Sequence, residues 1–219
     1  IICINKNELE KIKYLKIDKK LILNWLPKID NIDKNYVSFL KKKHNTNNYN
    51  YIFGYFGRFN KSKNLDLLIN SFKELKLIGS KLILIGDGEQ KKNLLSITDN
   101  HPDIEFVENQ KDIYPYYSII DCFVLPSRFE PFGLVILESM FFKKEIILSK
   151  VPISEFLPEN LSFEIGDINQ LKKLMLQKFK QGKVKSEYDL SNFDRNTQVN
   201  KVLEFYKIVI ENYSKFNLV

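Results

Sequence analysis

The sequence predicts an α/β protein built on a doubly wound parallel sheet, which is a Rossmann-like fold. From residue 51 onward, short runs of Ile, Leu, Val and Phe alternate with longer segments of helical periodicity. Buried parallel strands are continuous apolar runs, and the crossovers between them are usually helices. A chain of 219 residues with 44% hydrophobic content is long enough to bury one such core.

The elements before residue 50 are short. We predict strands over 1–4 and 21–24, and helices over 8–16 and 36–43, with a polar, turn-rich stretch over 45–50. The regular alternation then predicts strands over 51–56, 81–85, 104–107, 122–125, 145–149 and 161–165. Helices are predicted over 65–77, 89–98, 113–119, 133–142, 168–180 and 196–213. This order favours right-handed crossovers in one parallel sheet.

The net charge of +7 is spread over single lysines and short runs such as 41–43. Because no long basic stripe with interleaved aromatic residues is present, we predict no nucleic-acid partner. Solvated helix faces explain most of this charge, and peripheral attraction to an anionic membrane or acceptor is the alternative. With no membrane-length apolar run and no signal peptide, we predict a cytoplasmic protein, with the inner face of the membrane as the alternative site.

Arginine is scarce in this chain. Of 34 basic residues only Arg58, Arg128 and Arg195 are arginines, and the first two lie in loops that follow predicted strands. Since lysine supplies most of the positive charge, an arginine at such a place indicates a need for its flat fork of donors.

The segment from Pro126 to Glu138 is the most informative one. Pro126 ends a buried strand, Gly133 opens an apolar helix, and Glu130 lies eight positions before Glu138. Free N–H groups and the helix dipole favour an anion at such a helix start, so we expect an anion-binding site there.

A second charged loop follows the strand 51–56. Gly57 allows a sharp turn, and Arg58 and Lys63 can reach a common point at the carboxyl edge of the sheet, where ligands bind in this fold class. Two cations near a helix N-terminus suit a diphosphate leaving group, although ordinary surface cations are the alternative.

Three other chemistries are excluded or disfavoured. The turn Gly86-Asp87-Gly88 lacks the third glycine of a dinucleotide fingerprint, because Lys91 stands there. No cluster has metal-ligand spacing, so we predict no metal, and we interpret His44 and His101 as isolated loop residues. Paired carboxylates also occur in glycoside hydrolases, but a helix start and two cations between the acids indicate phosphate instead.

The pair Glu130-x7-Glu138 resembles the motif of the retaining nucleotide-sugar glycosyltransferases of glycosyltransferase family 4, which have the GT-B fold. Arg58 and Lys63 match the two basic positions of that family's Gly-Arg-x4-Lys donor motif. The resemblance implies the C-terminal half of a GT-B glycosyltransferase of hexosyltransferase type, with a nucleotide-diphospho-sugar as donor and neither metal nor cofactor.

The resemblance also implies roles for residues. The implied catalytic residues are Arg58, Lys63 and Glu130. In this comparison Glu130 orients the hydroxyl groups of the donor sugar, and Glu138 binds the hydroxyl groups of the ribose. The remaining donor-binding positions are the turn glycines, a loop position near the base and the phosphate-binding helix start, namely Gly57, Gly86, Asn109, Phe132, Gly133 and Leu134.

The implied organisation has three parts. Residues 1–48 are a remnant of the N-terminal domain with the interdomain connector, 49–190 are the Rossmann-like donor-binding domain, and 191–219 are the C-terminal crossover helix. The N-terminal acceptor domain is then the missing partner, so we expect the chain alone to be inactive and prone to self-association. A donor-binding subunit of a split glycosyltransferase and a non-catalytic nucleotide-binding domain are the alternatives.

Two departures from the family pattern concern loops. Lys143 and Glu145 stand where the family usually shows a glycine and a proline. The segment 151–154, Val-Pro-Ile-Ser, replaces a Gly-Gly turn that approaches the donor sugar in the family. The sequence therefore leaves the sugar, the base and the acceptor undetermined.

Overall fold

The computed structural model describes residues 1–216, and the side chains of 1–213. Its strands are β1 (Ile2–Cys3), β2 (Lys20–Leu21), β3 (Tyr51–Phe56), β4 (Ser80–Ile85), β5 (Ile104–Val107), β6 (Cys122–Leu125), β7 (Glu145–Ser149) and β8 (Ser162–Phe163). Its helices are α1 (Lys6–Lys11), α2 (Lys34–Lys43), α3 (Leu65–Leu75), α4 (Lys91–Thr98), α5 (Tyr114–Tyr117), α6 (Leu134–Phe141), α7 (Ile168–Gln181) and α8 (Arg195–Phe216).

The chain divides into two compact units. The larger unit comprises 29–188, and the smaller one comprises 1–28 together with the chain from 189 onward. The predicted derivation of 1–48 from an N-terminal domain, of 49–190 as the donor domain and of 191–219 as a crossover helix stays a prediction. Residues 217–219 lie outside the described part.

The larger unit contains a six-stranded sheet in the order β5-β4-β3-β6-β7-β8, and neighbouring strands pair in parallel. The predicted doubly wound fold is therefore confirmed. The chain moves outward from β3 to β5 and then returns to β6 beside β3, so the strand order reverses between β3 and β6. Ligands of open parallel sheets bind at such a reversal, beyond the carboxyl ends of the strands.

Continuous apolar strands form the core. All six residues of β3 are buried, as are those of β4, β6 and β7. From α3, Leu68, Ile69 and Phe72 are buried beneath the surface. Each fully buried side chain of this kind contributes about 1.5–3 kcal/mol, which makes the sheet a rigid support for the loops at its edges.

Both departures near the end of α6 have structural explanations. Lys143 adopts the left-handed conformation, with φ of 54°, just after the helix, which is where glycine is usually preferred. Glu145 is buried, and its carboxylate accepts hydrogen bonds from Lys178 Nζ at 2.7 Å and Tyr51 Oη at 3.0 Å. A buried carboxylate with these two partners replaces the proline of the family pattern.

The interpretation of His44 as an isolated loop residue is wrong. His44 is buried, and its Nδ1 shares a 2.6 Å hydrogen bond with Glu105 Oε1. Lys81 Nζ reaches both the His44 carbonyl, at 2.6 Å, and Glu105 Oε2, at 2.7 Å. Burial favours a higher pKa for Glu105, but the hydrogen bonds from His44 and Lys81 lower it overall. The sequence hides this cluster because His44 and Glu105 are 61 residues apart. His101 is not isolated either, since its ring packs edge-on against Phe72.

In the smaller unit, β1 pairs in parallel with β2, and Asn5 caps α1 by accepting from Glu8 N. The predicted C-terminal helix is present as α8, and several of its apolar side chains are exposed, among them Leu203, Tyr206 and Tyr213. Among the described residues, no helix combines the length and the apolar character needed to cross a membrane.

Candidate donor-binding site at the strand-order reversal

The loops after β3 and β6 are joined by backbone hydrogen bonds. Ser62 O accepts from Arg128 N at 2.7 Å and from Phe129 N at 3.4 Å. A 3-10 turn over Lys61–Lys63 presents the end of the first loop, and Asn60 Oδ1 caps it by accepting from Lys63 N at 3.2 Å. These contacts bring the two predicted charged segments to one place.

Lys63 and Glu130 form an ion pair at this junction. Lys63 Nζ lies 2.5 Å from Glu130 Oε2, and the two side chains are only 18% and 12% exposed. A charge-assisted hydrogen bond that is largely shielded from water is stronger and better oriented than a surface pair. The structure thus brings together two of the three predicted catalytic residues.

Arg58 lies in the same loop with its side chain in solvent. Its carbonyl accepts a 3.0 Å hydrogen bond from Tyr55 Oη, which anchors the backbone beside the sheet. The guanidinium is exposed and has no hydrogen-bond or ionic partner among the described residues. Arg58 therefore keeps all its donors for a ligand.

The start of α6 lies against Glu130. Gly133 caps the helix with a φ of 89°, and a Cβ at this position would lie 3.3 Å from Glu130 Cγ and 3.4 Å from Ile153 Cγ2. The turn begins with the hydrogen bond from Ile136 N to Gly133 O. Leu134 is the first residue of α6, so its N–H group precedes the first hydrogen bond of the helix and is not used within the helix.

Glu138 has a different environment from Glu130. Glu138 Oε2 accepts a 2.7 Å hydrogen bond from the buried Tyr117 Oη, which also lies 3.2 Å from Val135 O. Burial raises the pKa of Glu138, against the opposing effect of the Tyr117 hydrogen bond. Tyr117 holds one carboxylate oxygen, and the other has no partner in the described part of the chain.

The remaining predicted positions also follow sheet strands. Gly86 is buried after β4, and a Cβ on it would lie 1.9 Å from Gly57 O, so its glycine is explained by close backbone approach. Gly57 N donates to Ile85 O at 2.9 Å, which joins the loops after β3 and β4. Asn109 is exposed in the loop after β5, and Phe132 is buried at 4% exposure just before α6.

Three residues of the site were missed by sequence reasoning. Tyr117 fixes Glu138 from 21 residues away, and Asn64 Oδ1 accepts from Arg128 Nε at 2.9 Å. Neither contact leaves a signal in the local sequence. Asn60 has one, because Asn placed shortly before a helical turn is a preferred cap.

Comparison with known proteins identifies a family for this chain. Residues 37–162 match the family described as glycosyl transferases group 1. The chain belongs to this family. Over 97 residues it is 35% identical to the O-antigen biosynthesis glycosyltransferase WclY of Escherichia coli, covering 42% of this chain and 27% of that protein. Over 118 residues it is 31% identical to the capsular polysaccharide biosynthesis glycosyltransferase CapM of Staphylococcus aureus, covering 51% of this chain and 31% of that protein.

Solved structures agree on the fold. A glycosyltransferase from Rickettsia africae superposes with a TM-score of 0.82 at 19% identity, over 96% of this chain and 63% of that one. HepE of Anabaena, solved in complex with UDP, superposes with a TM-score of 0.73 at 19% identity, over 98% of this chain and 63% of that one. The GT-B relationship of the α/β fold is thus confirmed. The match spans less than a third of the two curated relatives named above and under two thirds of these structures.

Proposed function

We propose that this chain is the donor-binding half of a retaining glycosyltransferase of family 4, which transfers a hexosyl group from a nucleotide-diphospho-sugar. The observation that carries the proposal is the Lys63–Glu130 pair, which stands at the strand-order reversal and against the start of α6. The names of the group 1 relatives favour surface polysaccharide or glycolipid synthesis as its setting.

The proposed chemistry places positive charge where the leaving group forms. When the bond between the anomeric carbon and the diphosphate oxygen breaks, its electron pair stays on the diphosphate. Arg58, Lys63 and the N–H groups at the start of α6 stabilise that negative charge. Because protein groups supply this charge, the proposal includes neither a metal nor a cofactor.

The two acids act on different parts of the donor. Lys63 orients Glu130, whose carboxylate accepts hydrogen bonds from hydroxyl groups of the donor sugar. Tyr117 holds one oxygen of Glu138, which leaves the other for the vicinal hydroxyls of the ribose. Gly57, Gly86 and Asn109 complete the walls on the side of β3–β5.

Titration calorimetry with a nucleoside diphosphate and with the matching nucleoside tests the two cations. Arg58→Ala and Lys63→Ala are each expected to weaken diphosphate binding by about 1.5–3 kcal/mol, the range for charged hydrogen bonds. Binding of the bare nucleoside is expected to change little. The control is Lys92→Ala, which removes an exposed charge on α4. If both ligands were weakened alike, Arg58 and Lys63 would not be the diphosphate site.

A further inference from the structure

A cavity of about 430 Å³ lies beside the candidate donor site, between the start of α3 and the start of α4. It shares the loop around Ser62 and the side chain of Arg128 with that site, but Lys63, Glu130 and Glu138 do not line it. Its volume falls within the range of about 300–1,000 Å³ that is common for small-molecule sites.

The lining combines many hydrogen-bonding groups with a small apolar surface. Leu65 and Leu94 supply the apolar part. Besides Ser62, the polar residues are three amides, two cations and one acid, namely Asn60, Gln90, Asn93, Lys61, Arg128 and Asp66. Amides both donate and accept, as each hydroxyl of a sugar does, and the apolar part suits the C–H face of a sugar ring.

Arg128 is fixed at one edge of its guanidinium. Its Nε donates to Asn64 Oδ1 at 2.9 Å, and its backbone N donates to Ser62 O at 2.7 Å. The terminal nitrogens have no partner in the described part of the chain, and Arg128 is exposed. Asn64 itself is 1% exposed, and its Nδ2 also lacks a protein partner there.

The charges favour an anionic ligand group. Arg128 and Lys61 place two positive charges on the lining, against one negative charge from Asp66. A guanidinium with a fixed orientation and free terminal nitrogens binds carboxylate or phosphate with two parallel hydrogen bonds, which a lysine cannot do.

We propose that this cavity binds an acidic sugar of the acceptor glycan, with Arg128 receiving its carboxylate or phosphate group. The assignment to an acceptor rests on the proposed function, whereas the binding itself does not. Arg128 is two residues from Glu130, so a sugar held by Arg128 lies next to the segment that would hold the donor sugar. The site would therefore select acceptors that carry a negative charge.

Ligand-observed NMR titrations of the 219-residue chain with glucuronic acid, glucose 6-phosphate and glucose test the proposal. At least one acidic sugar is expected to bind about tenfold or more tightly than glucose, and the preferred one identifies carboxylate or phosphate. Arg128→Ala and Arg128→Lys are both expected to weaken the binding of that sugar by about tenfold or more. Lysine keeps the charge but lacks the planar, two-pronged set of donors of a guanidinium. Lys92→Ala, with a matched loss of charge on α4, is expected to leave its affinity unchanged.

A second variant separates binding from loop structure. Asn93 is exposed on α4 and lines the cavity, so Asn93→Tyr narrows the cavity while Arg128 itself is left unmutated. This variant is expected to lose its affinity for the acidic sugar. Its melting temperature and its affinity for whichever of UDP, GDP and ADP binds the wild type are expected to stay unchanged. Equal binding of glucose, insensitivity to Arg128→Ala and Asn93→Tyr, or displacement of the sugar by UDP would each overturn the site. If none of UDP, GDP and ADP bound while the acidic sugar bound as expected, the proposed donor function would fall and the cavity assignment would stand.

Discussion

At the scale of single residues, the two acids of the motif differ because different donors hold them. Glu130 forms an ion pair with Lys63 at 2.5 Å, whereas Glu138 is half-buried beside a tyrosine hydroxyl with no cation among its contacts in the described part. Burial raises the pKa of Glu138, so this acid takes up a proton at higher pH than an ordinary glutamate.

This difference predicts a pH dependence of donor binding. In the proposed site, hydroxyl groups of the ribose donate to the ionised carboxylate of Glu138, and protonation of Glu138 weakens these hydrogen bonds. The affinity for a nucleoside diphosphate is therefore expected to fall as pH is lowered through the raised pKa of Glu138, which lies above the pKa of an ordinary glutamate. Glu138→Gln is expected to bind the ligand more weakly than the wild type above the pKa of Glu138 and to lose this part of the pH dependence.

The measurement is calorimetry at several pH values, expressed as the ratio of wild-type to Glu138→Gln affinity. The ratio cancels the titration of the ligand's own phosphate, which occurs at about pH 6. Glu130→Gln serves as the second control and is expected to keep the pH dependence of the wild type. A ratio that stays constant with pH would contradict the assignment of Glu138 to the ribose.

Sequence reasoning at this scale identified charged residues but not their partners. The charges of Lys63 and Glu130 were recognised from loop position and motif, yet their contact joins residues 67 positions apart. Tyr117 and His44 were missed or misjudged for the same reason. Local sequence limits what a side chain can do, whereas the crossing of distant loops decides what it touches.

At the scale of elements, prediction succeeded where apolar periodicity was strong. The predicted strands 104–107, 122–125 and 145–149 agree to the residue with β5, β6 and β7. The weakest elements deviate most, since the predicted helix 8–16 is Lys6–Lys11 and the predicted strand 161–165 is only Ser162–Phe163. Short elements are marginal by themselves, and packing decides their ends.

The end of α6 supplies a prediction at this scale. Lys143 adopts a φ of 54°, which costs a residue with a Cβ about 1 kcal/mol. Lys143→Gly is therefore expected to raise the free energy of unfolding by about 0.5–1 kcal/mol, although Lys143 also forms an exposed ion pair with Glu187.

Urea denaturation of the wild type, Lys143→Gly and Lys143→Ala measures this effect. The alanine variant removes the ion pair but keeps the Cβ, so it is expected to equal the wild type or to be slightly less stable. A glycine variant no more stable than the alanine variant would show that the left-handed conformation carries no strain here.

At the scale of the whole molecule, the decisive fact is that relatives are longer than this chain. Retaining transfer needs an acceptor held against the anomeric carbon, and such orientation supplies much of the rate of an enzyme reaction. The described residues contain one six-stranded parallel sheet with the candidate donor site at its edge. We therefore expect the wall that holds the acceptor's reacting group to lie on an N-terminal domain or on a separate subunit.

The corresponding prediction is that the 219-residue chain binds a nucleotide-sugar but does not transfer the sugar. The measurement is the release of labelled sugar onto lipid and saccharide acceptors from a panel of donors. The same chain fused to the N-terminal Rossmann domain of a group 1 relative serves as the positive control. Robust turnover by the monomeric chain alone would refute the two-domain requirement, and donor binding without turnover in either form would favour a non-catalytic domain.

The backbone bonds between the loops after β3 and β4 limit how this protein can diverge. Gly57 N binds Ile85 O, Phe59 N binds Asp87 O, and Gln90 N returns to Phe59 O. An inserted residue in either loop would shift this pairing out of step and separate Gly57 from Gly86. We therefore expect relatives that keep this pairing to keep the lengths of these two loops. New donor preferences would have to arise instead by lengthening the loops after β5 and β7, which lie at the same edge of the sheet.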